Sequence, residues 1–228
     1  HIHACETLKE VCDCRDKYQK SPIAKFAEWN LLGPKTILAH AIHLDTQDIR
    51  LIKDSGTFLT SNPVSNLKLV SGLFPFHKLN GEFPHHITLG TDGASSNNNL
   101  SMLEEMKFFS LISKWQAQDA QAGLDKDIFT AATRNGAQAF GLNAGIIEEG
   151  ALADCILVDL NNPFITPGYN LLSNMVYAAD SSCIRDVICD GKLIMQNRKV
   201  PGEEKIIADA HRLAEKIKNV KPIPNAVP

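Results

Sequence analysis

Short apolar runs that end on a polar residue recur along the first ninety positions. Thr36-Ile37-Leu38-Ala39 runs into His40, Ile87-Thr88-Leu89-Gly90 is followed by Asp92, and the chain opens on His1-Ile2-His3-Ala4-Cys5 before Glu6. Runs of this length bounded by polar or turn residues predict strands at His1–Cys5, Thr36–His40, Thr57–Thr60 and Ile87–Gly90. Helical patterns lie between them. Leu8–Tyr18 is charged and helical. Ser21-Pro22 is an N-cap with proline at the first helical position, opening a helix to about Asn30. Asp45, with Asp48 three residues on, opens another that stops before Gly56. Asn62-Pro63 and Ser95–Asn99 predict loops, Ser101–Trp115 a long helix, and Asp127–Phe140 a further helix closed by Gly141. Strand and helix alternate, so the fold class is α/β with a parallel sheet and helical crossovers.

The texture changes after Gly150. Ala153–Asp159 predicts a short strand. Ile184–Cys189 and Lys192–Gln196 flank Asp190-Gly191, a strong two-residue hairpin signal. Lys205–Asn219 predicts an amphipathic helix with Ile206, Ala210, Leu213 and Ile217 on one stripe, and Lys221–Pro228 a tail.

Composition narrows the function classes. The formal charge is −3, with 44% hydrophobic and 21% charged residues. No basic excess marks a nucleic-acid partner, and no apolar run nears the ~20 residues of a membrane span. Nothing reads as a secretory leader. Six cysteines are too sparse for a disulfide scaffold, which fits a reducing cytoplasm. Cys12-x-Cys14 falls in a helix, where residues two apart diverge, so it is not expected to bind metal. Cys155 and Cys189 are expected as core thiols. The chain begins on His inside a strand, so a preceding segment is expected.

Metal ligands and proton carriers at successive strand ends are how a (β/α) barrel builds an active site. His1 and His3 share a strand face but lie ~6.6 Å apart along it, so His3 is the one at the mouth. Glu6 has the opposite parity and reaches the same place only if the chain turns after Cys5. Imidazole and carboxylate both suit Zn²⁺, and a neighbouring carboxyl group can shuttle a proton. Gly90 and Gly93 leave room around Asp92. A lone strand-end histidine is more often structural, and Asp-Gly more often a turn. Three such sites in chain order favour a functional site. His43 either lines the pocket or is structural. His77, His85, His86 and His211 read as structural or solvated. Asn62, Ser65, Ser95 and Asn97 follow strand ends, where substrate contacts belong. Phe74, Phe76, Phe108 and Phe109 read as core or interface.

His3-Ala4-Cys5-Glu6-Thr7, Ala39-His40-Ala41-Ile42-His43-Leu44, Asn62-Pro63-Val64-Ser65-Asn66-Leu67-Lys68-Leu69 and Gly90-Thr91-Asp92-Gly93-Ala94-Ser95-Ser96-Asn97-Asn98-Asn99 carry a resemblance. So do Ala132-Thr133-Arg134-Asn135-Gly136-Ala137 and Leu152-Ala153-Asp154-Cys155-Ile156-Leu157-Val158-Asp159. Over residues 1 to about 200 the chain resembles the C-terminal part of an amidohydrolase-superfamily enzyme, above all the branch that deaminates 5′-methylthioadenosine and S-adenosylhomocysteine. The resemblance implies the C-terminal half of a (β/α)8 TIM-like barrel, strands five to eight, over 1–148. Part of a composite β-sandwich would follow over 149–204, and a terminal helix and tail over 205–228. It implies one zinc ion, or another divalent transition metal, held by His3 and Asp92. His40 would orient the attacking hydroxide or lie near the metal, Asp92 would also take the water's proton, and Glu6 would protonate the purine N1. Glu6 and Asp92 would contact substrate, with His43 and Ser95 as weaker candidates. The implied reaction is hydrolytic deamination of an adenine nucleoside at C6, releasing ammonia. The first-strand His-x-His of such enzymes has no match here. The expected partners are therefore the missing N-terminal half or a partner chain, a purine nucleoside, and further copies in a homo-oligomer. A guanine deaminase, a chlorotriazine hydrolase, or an inactive fragment serving in assembly are the alternatives.

Overall fold

The computed structural model describes residues 1–79, 81 and 83–218. In chain order its elements begin with strand β1 (Ile2–Ala4), helices α1 (Leu8–Tyr18) and α2 (Pro22–Glu28), β2 (Ile37–His40), α3 (Thr46–Ser55), β3 (Phe58–Ser61), α4 (Pro63–Lys68), α5 (Phe76–Leu79) and β4 (Ile87–Leu89). Helices α6 (Ala94–Asn97), α7 (Met102–Ala117), α8 (Asp125–Ala132) and α9 (Arg134–Ala139) follow. Then come β5 (Cys155–Val158), α10 (Leu171–Tyr177), β6 (Ile184–Cys189), β7 (Lys192–Met195) and α11 (Glu203–Lys218).

Strands β1 to β4 form a parallel sheet in sequence order. Register aligns Ile2, Leu38, Leu59 and Ile87 in one row, and His3, Ala39, Thr60 and Thr88 in the next. The first row faces the helices: Leu38, Leu59 and Ile87 share one buried cluster with Val11, Ile23, Ile52 and Ile128. Each such side chain contributes about 1.5–3 kcal/mol by leaving water. The second row is small and polar, and the Thr60 and Thr88 hydroxyls bond across it at 2.6 Å. All four residues of β2 are buried, the signature of a strand covered on both faces.

The helix starts follow local chemistry. Ser21 accepts from Ala24 N–H at 3.1 Å with Pro22 at the first helical position. Asp45 and Asp48 form a reciprocal capping box, and Gly56 closes α3 at φ +69°, a conformation glycine adopts freely. Two expectations about the helices are corrected. Asp127–Phe140 is not one helix: Thr133, at φ −128° and ψ −88°, breaks it into α8 and α9. Ser95–Asn99 is not all loop, since α6 occupies most of it. The short helices α4, α5 and α10 were not foreseen.

Strands β5, β6 and β7 form a separate antiparallel sheet. Asp190 and Gly191 turn its hairpin at φ +49° and +70°, the pair of left-handed values a type I′ turn needs. Its faces are open, with Ile156, Leu157, Leu193 and Ile194 exposed. Cys189 is accordingly exposed and Cys155 half-buried, which corrects their expected place in the core. Helix α11 buries none of its residues. The predicted tail, Lys221–Pro228, and Asn219 lie outside the described residues.

Candidate active site

Three strand ends turn on left-handed backbone. Cys5 follows β1 at φ +53°, His40 ends β2 at φ +69° with Ala41 at +46°, and Asp92 follows β4 at φ +59°. Such values cost a non-glycine residue roughly 1 kcal/mol or more and gather at functional sites. Here they break the strand alternation. Strict period two would put His40 on the helix side with Leu38. Instead its ring meets that of His3, with centroids 5.2 Å apart at 67°. The turn at Cys5 likewise brings Glu6 Oε2 to 3.6 Å from His40 Nε2.

One ligand atom each from His3, His40 and Asp92 lie within 4.8 Å of one another. His3 is exposed, His40 is 1% exposed and Asp92 lies between. Two neutral imidazoles and a carboxylate are a fitting donor set for Zn²⁺. The surroundings fit too. His40 Nδ1 sits 2.8 Å from Asn66 Oδ1, the outer hydrogen bond a metal-binding histidine ordinarily makes.

Asp92 and Glu6 are braced by neighbouring side chains. Asp92 Oδ2 accepts from Ser65 Oγ at 2.6 Å, and Oδ1 accepts from its neighbour Gly93 N–H at 2.7 Å. Burial works to raise the Asp92 carboxyl. The Ser65 and Gly93 hydrogen bonds and the fields of His40 and His3 outweigh it and hold Asp92 below the ordinary carboxylate value. Glu6 Oε1 accepts from Ser71 Oγ at 3.0 Å. The Glu10 carboxylate accepts from Cys5 and Glu6 N–H, both at 2.9 Å, and so holds the turn that delivers Glu6. Beneath Asp92, the 1%-exposed Glu105 accepts from Asn97 Nδ2 at 2.6 Å, and the same amide reaches Thr91 O at 2.7 Å.

The four principal candidates, His3, Glu6, His40 and Asp92, thus meet at the C-terminal edge of the parallel sheet. His43 stands one step back, its Nε2 2.8 Å from the Ser71 carbonyl. Ser95 is exposed on α6, and its carbonyl accepts from Lys68 at 3.0 Å. His86 packs against Phe58, centroids 4.8 Å apart, while His77 and His211 are exposed. Phe74, Phe76 and Phe109 are buried core. Sequence reasoning missed Glu10, Asn66, Ser71 and Glu105 as supports. Thr7-x-x-Glu10 has capping-box spacing and could have been found. Ser71 lies 65 residues from Glu6 and carries no local signal.

The amidohydrolase family model matches residues 1–194. The chain belongs to the amidohydrolase family. It is 40% identical over 218 residues to a 5′-deoxyadenosine deaminase of Methanoregula boonei, covering 95% of this chain and 49% of that protein. A 5-methylthioadenosine/S-adenosylhomocysteine deaminase of Thermococcus kodakarensis is 41% identical over 194 residues, covering 85% and 46%. The crystal structure of a zinc-bound adenosine deaminase from Xanthomonas campestris superposes with a TM-score of 0.91 at 33% identity, over 96% of this chain and 50% of that one. This amidohydrolase chain therefore spans about half the length of the curated relatives it matches. Among the described residues no helix is long and apolar enough to cross a membrane.

Proposed function

We propose that this chain is the C-terminal part of a zinc-dependent aminohydrolase that deaminates an adenine nucleoside at C6. The observation that carries this is the meeting of His3, His40 and Asp92 within 4.8 Å, with Glu6 beside them, in a chain about 40% identical to adenine-nucleoside deaminases. On this reading β1 to β4 are strands five to eight of a (β/α)8 barrel and residues 149–204 are half of a composite β-sandwich. An N-terminal half, from the same protein or a partner chain, completes both. A homo-oligomer and a cytoplasmic location belong to the same proposal.

His3, His40 and Asp92 would hold the zinc, which supplies water acidified to near neutral pH as nucleophile. Asp92, kept ionised by Ser65 and Gly93, accepts the proton that water loses as its oxygen bonds to C6. Glu6, held by Ser71 and Glu10, gives a proton to the ring nitrogen N1, so the electrons displaced from C6 have somewhere to rest. The C6–N6 bond then breaks as Asp92 returns its proton to N6, which leaves as ammonia, while the C6 hydroxyl gives its proton back to Glu6, and the product is the inosyl nucleoside. Likeness to a guanine deaminase at 22% identity and an atrazine chlorohydrolase at 19% is likeness of fold.

The test is ammonia release from 5′-deoxyadenosine, 5′-methylthioadenosine, S-adenosylhomocysteine and adenosine by the protein with its N-terminal half present. Intact mass and zinc content are read on the same sample. About one zinc per chain, and turnover abolished by a chelator and restored by zinc, is the expected result. Full zinc loading with no ammonia from any of the four overturns the proposal.

A further inference from the structure

His40 is the most enclosed member of the cluster, and its Nδ1 is not free. Asn66 Oδ1 lies 2.8 Å from it, with both side chains buried, at 1% and 2% exposure. A carboxamide oxygen only accepts, so this contact requires the proton on Nδ1. Asn62 Nδ2 approaches the same nitrogen at 3.4 Å. That is a donor facing a donor at marginal distance, and the shorter, well-formed contact decides. The opposite nitrogen, Nε2, lies 3.6 Å from Glu6 Oε2, beyond hydrogen-bond distance, so that carboxylate does not fix a proton on it.

The rest of Asn66 agrees. Its Nδ2 and the hydroxyl of Ser61 are buried without a partner among the described residues. Both line one gap of about 10 Å³ beside Gly72, Phe74 and Phe109, which is room for a single water. An amide whose N–H₂ turns to that gap presents its oxygen to His40. Asn66 is itself fixed, because it lies in α4, whose first turn is anchored by Val64 N–H donating to Glu105 Oε2 at 3.1 Å.

We propose that Asn66 is a positioning residue that selects the Nδ1–H tautomer of His40, leaving the Nε2 lone pair directed into the site. A neutral imidazole has one lone pair, and the hydrogen bond at the other nitrogen determines which atom carries it. With the tautomer reversed, Nε2 would carry a hydrogen and could neither bind a metal nor accept a proton from water. The catalytic consequence rests on the aminohydrolase reading above; the tautomer does not.

The test is the two-bond ¹H–¹⁵N side-chain spectrum of the ¹⁵N-histidine-labelled, metal-free protein, taken at about pH 8.5, where histidines of ordinary pKa are neutral. His40 is assigned by the signal lost in His40→Gln. The expected wild-type pattern has Nδ1 protonated and Nε2 bare. Asn66→Leu moves it toward a mixture or the reverse. Asn66→Asp, which keeps an acceptor, restores the wild-type pattern. Zinc affinity of Asn66→Leu falls roughly 10–100-fold and recovers in Asn66→Asp. A wild-type His40 with its proton on Nε2, or an Asn66→Leu spectrum unchanged from wild type, overturns the inference. The wild-type spectrum decides alone if Asn66→Leu does not fold. A tautomer that shifts as expected in a protein that, zinc-loaded and with its N-terminal half present, deaminates none of the four nucleosides supports this inference and overturns the proposed function.

Discussion

Replacing Glu105 should loosen two site loops at once. Its carboxylate is 1% exposed. Oε2 accepts from Val64 N–H at 3.1 Å, at the start of α4, and Oε1 accepts from Asn97 Nδ2 at 2.6 Å, behind Asp92. Glu105→Ala strands both donors. A buried donor left unsatisfied costs about 1–3 kcal/mol, so the pair and the cavity together should cost about 3–5 kcal/mol. Glu105→Gln keeps one acceptor and turns an N–H₂ toward the other donor, for a loss of about 1–3 kcal/mol. Burial raises the Glu105 carboxyl above its ordinary value, against lowering hydrogen bonds from Val64 and Asn97. A raised folded pKa means that its stabilising contribution is full below the unfolded value of about 4.3 and is lost as pH climbs through the folded one. Glu105→Gln should therefore flatten the fall of stability over that window. Urea denaturation of wild type and both variants across a pH series reads each quantity. A Glu105→Ala protein within about 0.5 kcal/mol of wild type, or a Gln variant with the wild-type pH slope, would refute the reasoning.

Ser65→Ala removes the 2.6 Å bond to Asp92; zinc affinity, measured by chelator competition, should drop about 10–100-fold, and an unchanged affinity would speak against Asp92 as a ligand. Glu6→Gln should retain zinc but lose about 10²–10⁴-fold in turnover, so loss of zinc in that variant would assign Glu6 a different role. At Gly72, φ is +133°, and an added Cβ would meet Ile42 Cγ2 at 2.8 Å and His43 Nε2 at 3.3 Å. Gly72→Ala should cost about 1–3 kcal/mol, and a melting temperature equal to wild type would show that the backbone there is free to shift.

The parallel sheet was legible because buried parallel strands are continuous apolar runs, as Ile37-Leu38-Ala39 shows. The caps at Ser21 and Asp45 were legible because capping is a local event between residues three apart. Other expectations failed, one for a local reason and the rest for non-local ones. The pattern from Asp127 to Phe140 stays helical across Thr133, whose hydroxyl turns back to Phe129 O at 2.7 Å where the axis breaks. Helix α10 is held by packing on α7 and α8, which seven residues of sequence do not announce. The misplacement of Cys155 and Cys189 has the same origin. An apolar strand reads alike whether or not anything covers the face it presents.

The candidate site divides along the same line. His3, Glu6, His40 and Asp92 were readable as polar residues ending strands. The left-handed turns at Cys5, His40 and Asp92 that bring them together fall on non-glycine residues; a turn after Cys5 was required for Glu6 to reach the site, but nothing announced the one at His40. Nor did it reveal that a single segment, residues 62–71, supplies a partner to three of the four. Ser65 donates to Asp92, Asn66 Oδ1 meets His40 Nδ1 at 2.8 Å, and Ser71 donates to Glu6. The candidate residues come from three different strand ends, yet three of the four are held by one stretch that carries none of them. Glu105 fixes that stretch at Val64 and Gly72 ends it. Displacing it should disturb Asp92, His40 and Glu6 together, whereas Ser65→Ala or Ser71→Ala should disturb one each. That difference separates a shared scaffold from three independent hydrogen bonds.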